Sequence, residues 1–264
     1  MIPLILAQGA GLSLAMAAAW AFQKRVGNAG WVDVFWTFAV GGVALAGALA
    51  PFPAVGLPAR QITVAALAAL WAMRLGLHLR ARVRSRPEDA RYAGFRRDWG
   101  ARFQGRLFWL LMIQAAAAWP LVVAMMLAAR NPAPAWQWTD FVAAAVIAVS
   151  LVGEALADRD LARFVADPAN AGRVCDRGLW AWSRHPNYFF EFLGWCAWPV
   201  FAFNTAWPIS LLAIAAPVMM YWLLVHVSGI PLLEQVMLRS RGDAYRAYQR
   251  RTSAFFPLPP RRED

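Results

Sequence analysis

The densest group of chemically versatile side chains lies between Arg173 and Glu191, in the segment R-V-C-D-R-G-L-W-A-W-S-R-H-P-N-Y-F-F-E. Pro186 is expected at the first turn of a helix, because proline lacks only an N–H that this turn leaves unpaired. Asn187 and Glu191 are four residues apart, so they share one face of that helix. Arginine and histidine side chains beside the open N–H groups of a helix start are typical of a site for a phosphate-bearing cofactor.

Two further groups of ionisable residues lie within or at the ends of apolar segments, where such residues are candidates for function. Asp33, in G-W-V-D-V-F-W-T-F, either caps a helix or is a carboxyl kept neutral by apolar surroundings, which would donate a hydrogen bond to a substrate carbonyl. Arg74 shares a predicted helix face with His78 and Arg82. It either pairs with Asp33 or reaches a ligand.

The segment from Arg86 to Gly100 is interpreted either as a basic surface against anionic lipid heads or as a flap over a cofactor, formed by Asp89, Arg91 and Tyr92.

Acidic residues occur on a later span. Glu154 and Asp158 are four apart near its end, and Arg163 follows. Two acids on one face beside hydrocarbon need hydrogen-bond donors, which either internal arginines or a bound cofactor can supply. In the tail, Tyr245 and Tyr248 fall three apart on a predicted amphipathic helix, which either anchors at the membrane surface or contributes to the site.

The composition identifies the class of protein that carries these residues. The chain has 264 residues, 60% of them hydrophobic, and a mean hydropathy of +0.42, which predicts an integral membrane protein. Its formal net charge of +11 reflects arginines that alternate with hydrophobic spans, a pattern that indicates membrane topology and no nucleic-acid partner.

We predict an all-α, polytopic fold with seven transmembrane helices. The predicted spans are 2–22, 31–50, 61–79, 107–128, 139–157, 188–204 and 207–230. The connections 23–30, 80–106 and 158–187, with the tail after 231, hold 23 of the 26 lysines and arginines, which predicts an outside N-terminus and a cytoplasmic C-terminus. The whole chain, 1–264, is expected to form a single transmembrane domain.

Common motifs for nucleotides and metals are absent. The sequence contains no G-x-G-x-x-G, no P-loop and no H-E-x-x-H, and Cys175 and Cys196 have no paired ligand spacing, so no metal site is predicted. Any nucleotide would therefore bind between helices, without a Rossmann fold.

The segment G-L-W-x-W-S-R-H-P-N-Y-x-x-E and the tail L-L-E-Q-V-M-L-R-S-R-G-D-A-Y-R-A-Y-Q-R-R-T-S-A-F-F-P closely resemble the steroid 5α-reductase C-terminal superfamily of bacterial membrane proteins. Its wider relatives include sterol reductases and isoprenylcysteine carboxyl methyltransferases. The resemblance covers about the last 110 residues. It implies a multi-pass protein of the bacterial inner membrane, with a cofactor-binding half at 139–264 and NADPH as the cofactor.

The resemblance also assigns roles to individual residues. In the reductases, a glutamate of the second span activates the enone oxygen, and Asp33 stands at the corresponding place. A catalytic tyrosine of their third span corresponds to Trp71, so one half of the acid pair has no counterpart here. Arg74 is the second candidate catalytic residue. The predicted cofactor-binding residues are Glu154, Asp158, Arg163, Arg173, Arg184, His185, Asn187, Tyr188, Glu191, Tyr245 and Tyr248.

Three functions remain open at this point. The first is an NADPH-dependent reductase of a conjugated C=C bond in a lipophilic substrate, such as a steroid or isoprenoid enone, that enters from the bilayer among the membrane lipids. The second is an S-adenosylmethionine-dependent membrane methyltransferase, since that branch has a similar R-H-P segment. The third is a non-catalytic lipid or sterol binder.

Overall fold

The computed structural model describes residues 1–51, 56–85 and 87–261, and these residues are helical with no β-strand. The helices are α1 (Ile2–Val26), α2 (Trp31–Leu49), α3 (Pro58–Ser85), α4 (Ala90–Trp99), α5 (Phe103–Ala129), α6 (Trp138–Ala166), α7 (Leu179–Trp182), α8 (Pro186–Ala202), α9 (Ala215–Trp222), α10 (Ile230–Arg241) and α11 (Asp243–Arg251). The all-α prediction is confirmed for this part of the chain.

Six helical segments of the described chain are long and apolar enough to cross a membrane, so the protein is a multi-pass membrane protein. These segments are Ile2–Val26, Trp31–Leu49, Pro58–Ser85, Ala90–Ala129, Trp138–Ala166 and Pro208–Arg241. The predicted sixth span, 188–204, corresponds to α8, which has only 17 residues. Seven spans and the orientation of the termini therefore stay predictions.

Local sequence signals explain where several helices begin and end. Gly27 follows α1 in the left-handed conformation, with φ of 72°, and its N–H bonds the carbonyl of Gln23. Pro58 and Pro186 occupy the first positions of α3 and α8, where a missing N–H is harmless. The predicted last span, 207–230, is less regular, because a 3₁₀ segment, Pro208–Ile214, precedes α9 and a π-helical segment, Leu223–Val227, follows it.

The chain divides into two compact units. The first unit consists of Met1–Phe141 and Trp198–Ala216, and the second of Val142–Ala197 and Pro217–Asp264. Residues 198–216, which the predicted cofactor-binding half includes, thus belong with the first unit.

Helices α2 and α3 of the first unit pack closely through small residues. A Cβ added to Gly41 would lie 2.2 Å from the Cβ of Ala72, and one added to Gly76 would lie 2.5 Å from the ring of Phe38. Glycine at these two positions allows the close approach of backbones that is common between membrane helices.

A buried arginine joins three segments at one end of the first unit. Arg60, at the start of α3, is fully buried and forms a bidentate ion pair with Asp140 of α6, at 2.9 and 2.8 Å. The same guanidinium donates to the backbone carbonyls of Asn131, Ala133 and Ala135, in the connection between α5 and α6. A buried ion pair is stable only when further hydrogen bonds satisfy its donors, and this geometry provides them.

We expect Arg60→Ala to lower the free energy of unfolding by about 3–5 kcal/mol, because it leaves the buried Asp140 carboxylate without its partner. Thermal or denaturant unfolding of the purified protein in detergent measures this change. The control is Arg84→Ala, which removes an exposed arginine from the other end of α3. Equal destabilisation by the two variants would contradict the structural role of Arg60.

Candidate functional site

The second unit brings α6 and α8 into close contact. A Cβ on Gly153 of α6 would lie 2.4 Å from the ring of Phe190, and one on Gly194 of α8 would lie 2.5 Å from the hydroxyl of Ser150. That hydroxyl donates to the backbone carbonyl of Phe190 at 2.7 Å. The packing therefore sets the register of the two helices that carry six of the eleven predicted cofactor-binding residues.

Polar side chains of α6 and α8 meet in this register. The Asn187 amide donates to the Asp158 carboxylate at 3.2 Å. Glu191, one turn after Asn187, is 7% exposed, and its carboxylate accepts a hydrogen bond of 2.8 Å from the Trp195 indole. Glu154, one turn before Asp158, is 4% exposed. The face shared by Asn187 and Glu191 is thus directed into the unit, whereas contact of these two residues with a cofactor stays a prediction.

Glu234 of α10 organises the R-H-P segment. It accepts hydrogen bonds from Arg184 Nε at 2.7 Å and from Gln249 Nε2 at 2.7 Å, and it lies 3.3 Å from His185 Nε2. Arg184 also donates to the carbonyls of Gln249 and Thr252. Because these donors of Arg184 are directed at protein acceptors, its position is set by the tail, and its predicted contact with cofactor phosphates is untested.

His185 is the most buried member of this group. Burial lowers the pKa of His185 below its usual range, and this outweighs the Glu234 carboxylate, which acts in the opposite direction. The imidazole is therefore neutral at pH 7. It stacks against the ring of Tyr188, with the ring centroids 5.6 Å apart.

The tail packs along the same segment. The backbone N–H of Arg184 bonds the carbonyl of Ser253, and the hydroxyl of Ser183 donates to the carbonyl of Phe255. Tyr245 and Tyr248 are each 2% exposed, and the Tyr248 hydroxyl donates to the carbonyl of Trp180. Burial raises the pKa of both tyrosines well above the usual value, so both remain neutral. These two residues of α11 thus face the protein interior.

Two predicted cofactor-binding arginines are exposed. Arg163 lies in the last turn of α6, and Arg173 lies in the connection to α7. Within the described residues, neither guanidinium forms an ion pair with a carboxylate. Both are thus accessible to an anionic ligand.

The first unit contains both predicted catalytic residues. Asp33 lies in the first turn of α2, where one carboxylate oxygen accepts from Arg91 at 2.6 Å and the other accepts from the Tyr92 hydroxyl at 2.8 Å. Arg74 lies half-buried on α3, and the Asp33 carboxylate forms an ion pair with Arg91. In this arrangement Asp33 acts as a hydrogen-bond acceptor, which argues against a neutral carboxyl that donates.

Helix α4 is held at this place by further ion pairs. Asp89 caps α4 through the N–H of Arg91 and also accepts from the side chains of Arg91 and Arg82, at 2.9 and 2.7 Å. Glu88 accepts from the N–H of Ala29 and from Arg96, both at 2.8 Å. The interpretation of this segment as only a solvated surface is therefore incomplete, because two of its arginines and Tyr92 bind acids of the unit.

A cavity of about 310 Å³ lies beside Asp33. Its lining residues are Asn28, Gly30, Asp33, Leu79, Arg82, Val83, Pro87, Glu88, Asp89 and Ala90. The cavity is therefore bordered by charged groups, all of which already belong to the ion pairs of α4.

Sequence reasoning missed Glu234 and the pairing of Tyr92 with Asp33. Glu234 is part of the tail L-L-E-Q, but its partner Arg184 lies 50 residues earlier in the chain, and no helical spacing connects the two. A tyrosine does stand beside the predicted acid, but it comes from α4 and not from the third span, where Trp71 lies.

The ionisation of Glu88 and Asp89 makes the attachment of α4 to the unit dependent on pH. Burial alone would raise the pKa of each carboxyl, but hydrogen bonds from Arg96 and Ala29 to Glu88, and from Arg91 to Asp89, lower both below their ordinary values of 4.5 and 3.8. A carboxyl whose pKa is lower in the folded than in the unfolded state stabilises the folded state at pH values above the unfolded-state pKa. This stabilisation is lost as the pH falls through the folded-state pKa.

We therefore expect α4 to lose amide protection below about pH 4, while the buried part of α5 retains it. Hydrogen exchange between pH 6 and pH 3, corrected for the intrinsic pH dependence of exchange, measures the difference. Simultaneous loss of protection in α4 and α5, or no loss in either, would show that these carboxylates do not hold α4.

Comparison with known proteins identifies a family but no activity. The family described as "Protein of unknown function (DUF1295)" matches residues 19–252. No curated protein and no solved structure matches the chain. The matched range covers most of the chain and includes Asp33, Arg74 and every predicted cofactor-binding residue, so the chain belongs to the DUF1295 family.

Proposed function

We propose that this chain is a reductase of the bacterial inner membrane that uses NADPH to reduce a C=C bond conjugated to a carbonyl in a lipophilic substrate, such as a steroid or isoprenoid enone. The observation that carries the proposal is the polar group within the second unit. Asp158 and Glu154 of α6 and Asn187 and Glu191 of α8 lie on helices in close contact, and the unpaired Arg173 is close in sequence.

The residues present fit such a cofactor. An amide and carboxylates supply the acceptors and donors that a carboxamide and ribose hydroxyls need, and exposed Arg163 and Arg173 supply cations for phosphates. NADPH, when bound, supplies the hydride. The chain's own residues bind and orient it: Glu234 fixes Arg184 and His185, and α8 presents Asn187 towards Asp158.

The polarising group for the substrate carbonyl is proposed to be the pair of Asp33 and Tyr92. With Arg91 bound to one oxygen of Asp33, the carboxylate remains an acceptor and orients the phenol through the other oxygen. The single O–H of Tyr92, which donates to Asp33 in the structure, would turn to the substrate carbonyl and supply the hydroxyl proton donor that Trp71 does not. A fixed donor in a site that excludes water stabilises the negative charge that develops on the enone oxygen.

A thermal-shift experiment separates this proposal from the alternatives. NADPH at 100 times its dissociation constant should stabilise the protein by about 2.7 kcal/mol, whereas S-adenosylmethionine should give no shift. Arg173→Ala should weaken NADPH binding strongly, because it removes an exposed cation that is proposed to bind the phosphates. Arg261→Ala, which removes an exposed arginine of the tail, is the matched control.

A shift with S-adenosylmethionine alone would favour a methyltransferase, and no shift with either compound would favour a lipid binder. Equal NADPH affinity in the Arg173 and Arg261 variants would contradict the proposed contact between Arg173 and the cofactor phosphates.

A further inference from the structure

The exposed cations of the first unit gather at one end. Its exposed basic residues include Arg25, Arg80, Arg84, Arg97, Arg102 and Arg106, which we call the basic rim. Asp98 is the one exposed acid among the described residues of this unit. The other acids near the rim, Asp33, Glu88 and Asp89, already bind Arg91, Arg96 and Arg82.

Contacts within the unit bring these cations together. The Trp20 indole donates to the carbonyl of Gln104 at 3.0 Å, which joins the end of α1 to the start of α5. Glu88 bonds the N–H of Ala29, which joins the α3–α4 connection to the α1–α2 turn. The ends of α1 and α3 and the start of α5 therefore lie on the same side of the unit.

The opposite end of the unit exposes no cation among its described residues. Arg60 and Arg130 are 0% and 4% exposed. Arg60 binds Asp140, and Arg130 donates to the carbonyls of Gly47 and Ala50 at 3.2 and 2.8 Å. The exposed basic side chains of the unit are thus restricted to the end that carries the rim.

One face of α5 combines the rim with exposed apolar side chains. Arg106, Trp109 and Ile113 follow the spacing i, i+3, i+7, which places them along a single stripe of α5. Arg102, the residue directly before the helix, extends this stripe by one turn. Trp109 is 67% exposed and Ile113 is 65% exposed. The stripe therefore runs from two guanidinium groups to an indole and then to an aliphatic side chain.

We propose that this stripe is a docking surface for an anionic phospholipid. Guanidinium groups bind the oxygens of a phosphodiester head group through charge-assisted hydrogen bonds. Tryptophan is typical of the membrane–water interface, and the apolar side chain beyond it matches an acyl chain. The sequence of cation, indole and aliphatic group along α5 corresponds to the order of head group, interface and acyl chain in one lipid molecule. A soluble polyanion would bind the two arginines but would make no contact with the indole and the aliphatic group beyond them.

The test is a lipid titration of the delipidated full-length protein in detergent, followed by native mass spectrometry. The probes are phosphatidylglycerol and phosphatidylcholine. Wild-type protein should bind phosphatidylglycerol more tightly, and the double variant Arg102→Gln with Arg106→Gln should lose roughly tenfold or more of that affinity. The charge-conserving variant Arg102→Lys with Arg106→Lys should retain most of it.

A second pair of substitutions controls for net charge. Arg239→Gln with Arg250→Gln removes the same charge from exposed positions of the second unit and should leave phosphatidylglycerol binding at the stripe unchanged. Equal loss in the two glutamine variants, or no preference of the wild type for phosphatidylglycerol, would overturn the proposal. Competition by heparin that is stronger than by phosphatidylglycerol would also overturn it, since it would indicate a soluble polyanion.

A measurement on the wild type remains decisive if the glutamine variant does not fold. Raising the salt concentration from about 0.05 to 0.5 M shortens the Debye length severalfold and should weaken phosphatidylglycerol binding much more than phosphatidylcholine binding. Salt-independent binding of phosphatidylglycerol would contradict the role of the two arginines.

Discussion

The Glu234 carboxylate is the interaction on which the second unit depends. It receives Arg184, His185 and Gln249, from the start of α8 and from α11, and thereby joins the R-H-P segment to the tail. A partly buried carboxylate of this kind needs several donors to offset its loss of hydration. Because all three donors come from distant positions in the chain, the helix start and the tail are ordered together.

In the first unit, too, buried and partly buried carboxylates are stabilised by hydrogen-bond donors from distant positions in the chain. Asp33 and Asp89 are joined by Arg91, and Asp140 is joined to Arg60, so each acid of these networks has a guanidinium partner. In each case a single substitution would leave a charge without its partner in a region of low dielectric. These networks hold α4 at one end of the unit and the α5–α6 connection at the other.

The pattern of apolar residues was sufficient to predict most of the long helices. Hydropathy located the segments that α1, α2, α3, α5 and α6 occupy, and Pro186 marked the start of α8, because both signals are local in sequence. Helix α4 lies in the predicted connection 80–106, where the residues are too polar for this signal. The number of spans was harder to predict from the sequence, because α8 is shorter than a typical span and the segment that follows α8 begins as a 3₁₀ helix.

The partners of the charged residues could not be predicted, for a physical reason. Arg60 lies 80 residues from Asp140, and Arg91 lies 58 residues from Asp33, so only the tertiary packing determines which acid each arginine meets. The sequence left pairing with Asp33 as one possibility for Arg74, and the packing of α4 brings Arg91 to that carboxylate. The spacing of Tyr245 and Tyr248 predicted a shared face, but not that this face is buried against Trp180.

The central claim is that the second unit binds a nucleotide cofactor through the face shared by α6 and α8. Hydrogen exchange of the full-length protein with and without NADPH tests it most directly, because it locates the ligand without any substitution. Our account predicts increased protection of amides in Asp158–Glu191 and in the tail from Glu234 to Thr252, with no change in α4. Protection confined to the first unit, or no change anywhere at saturating NADPH, would contradict it.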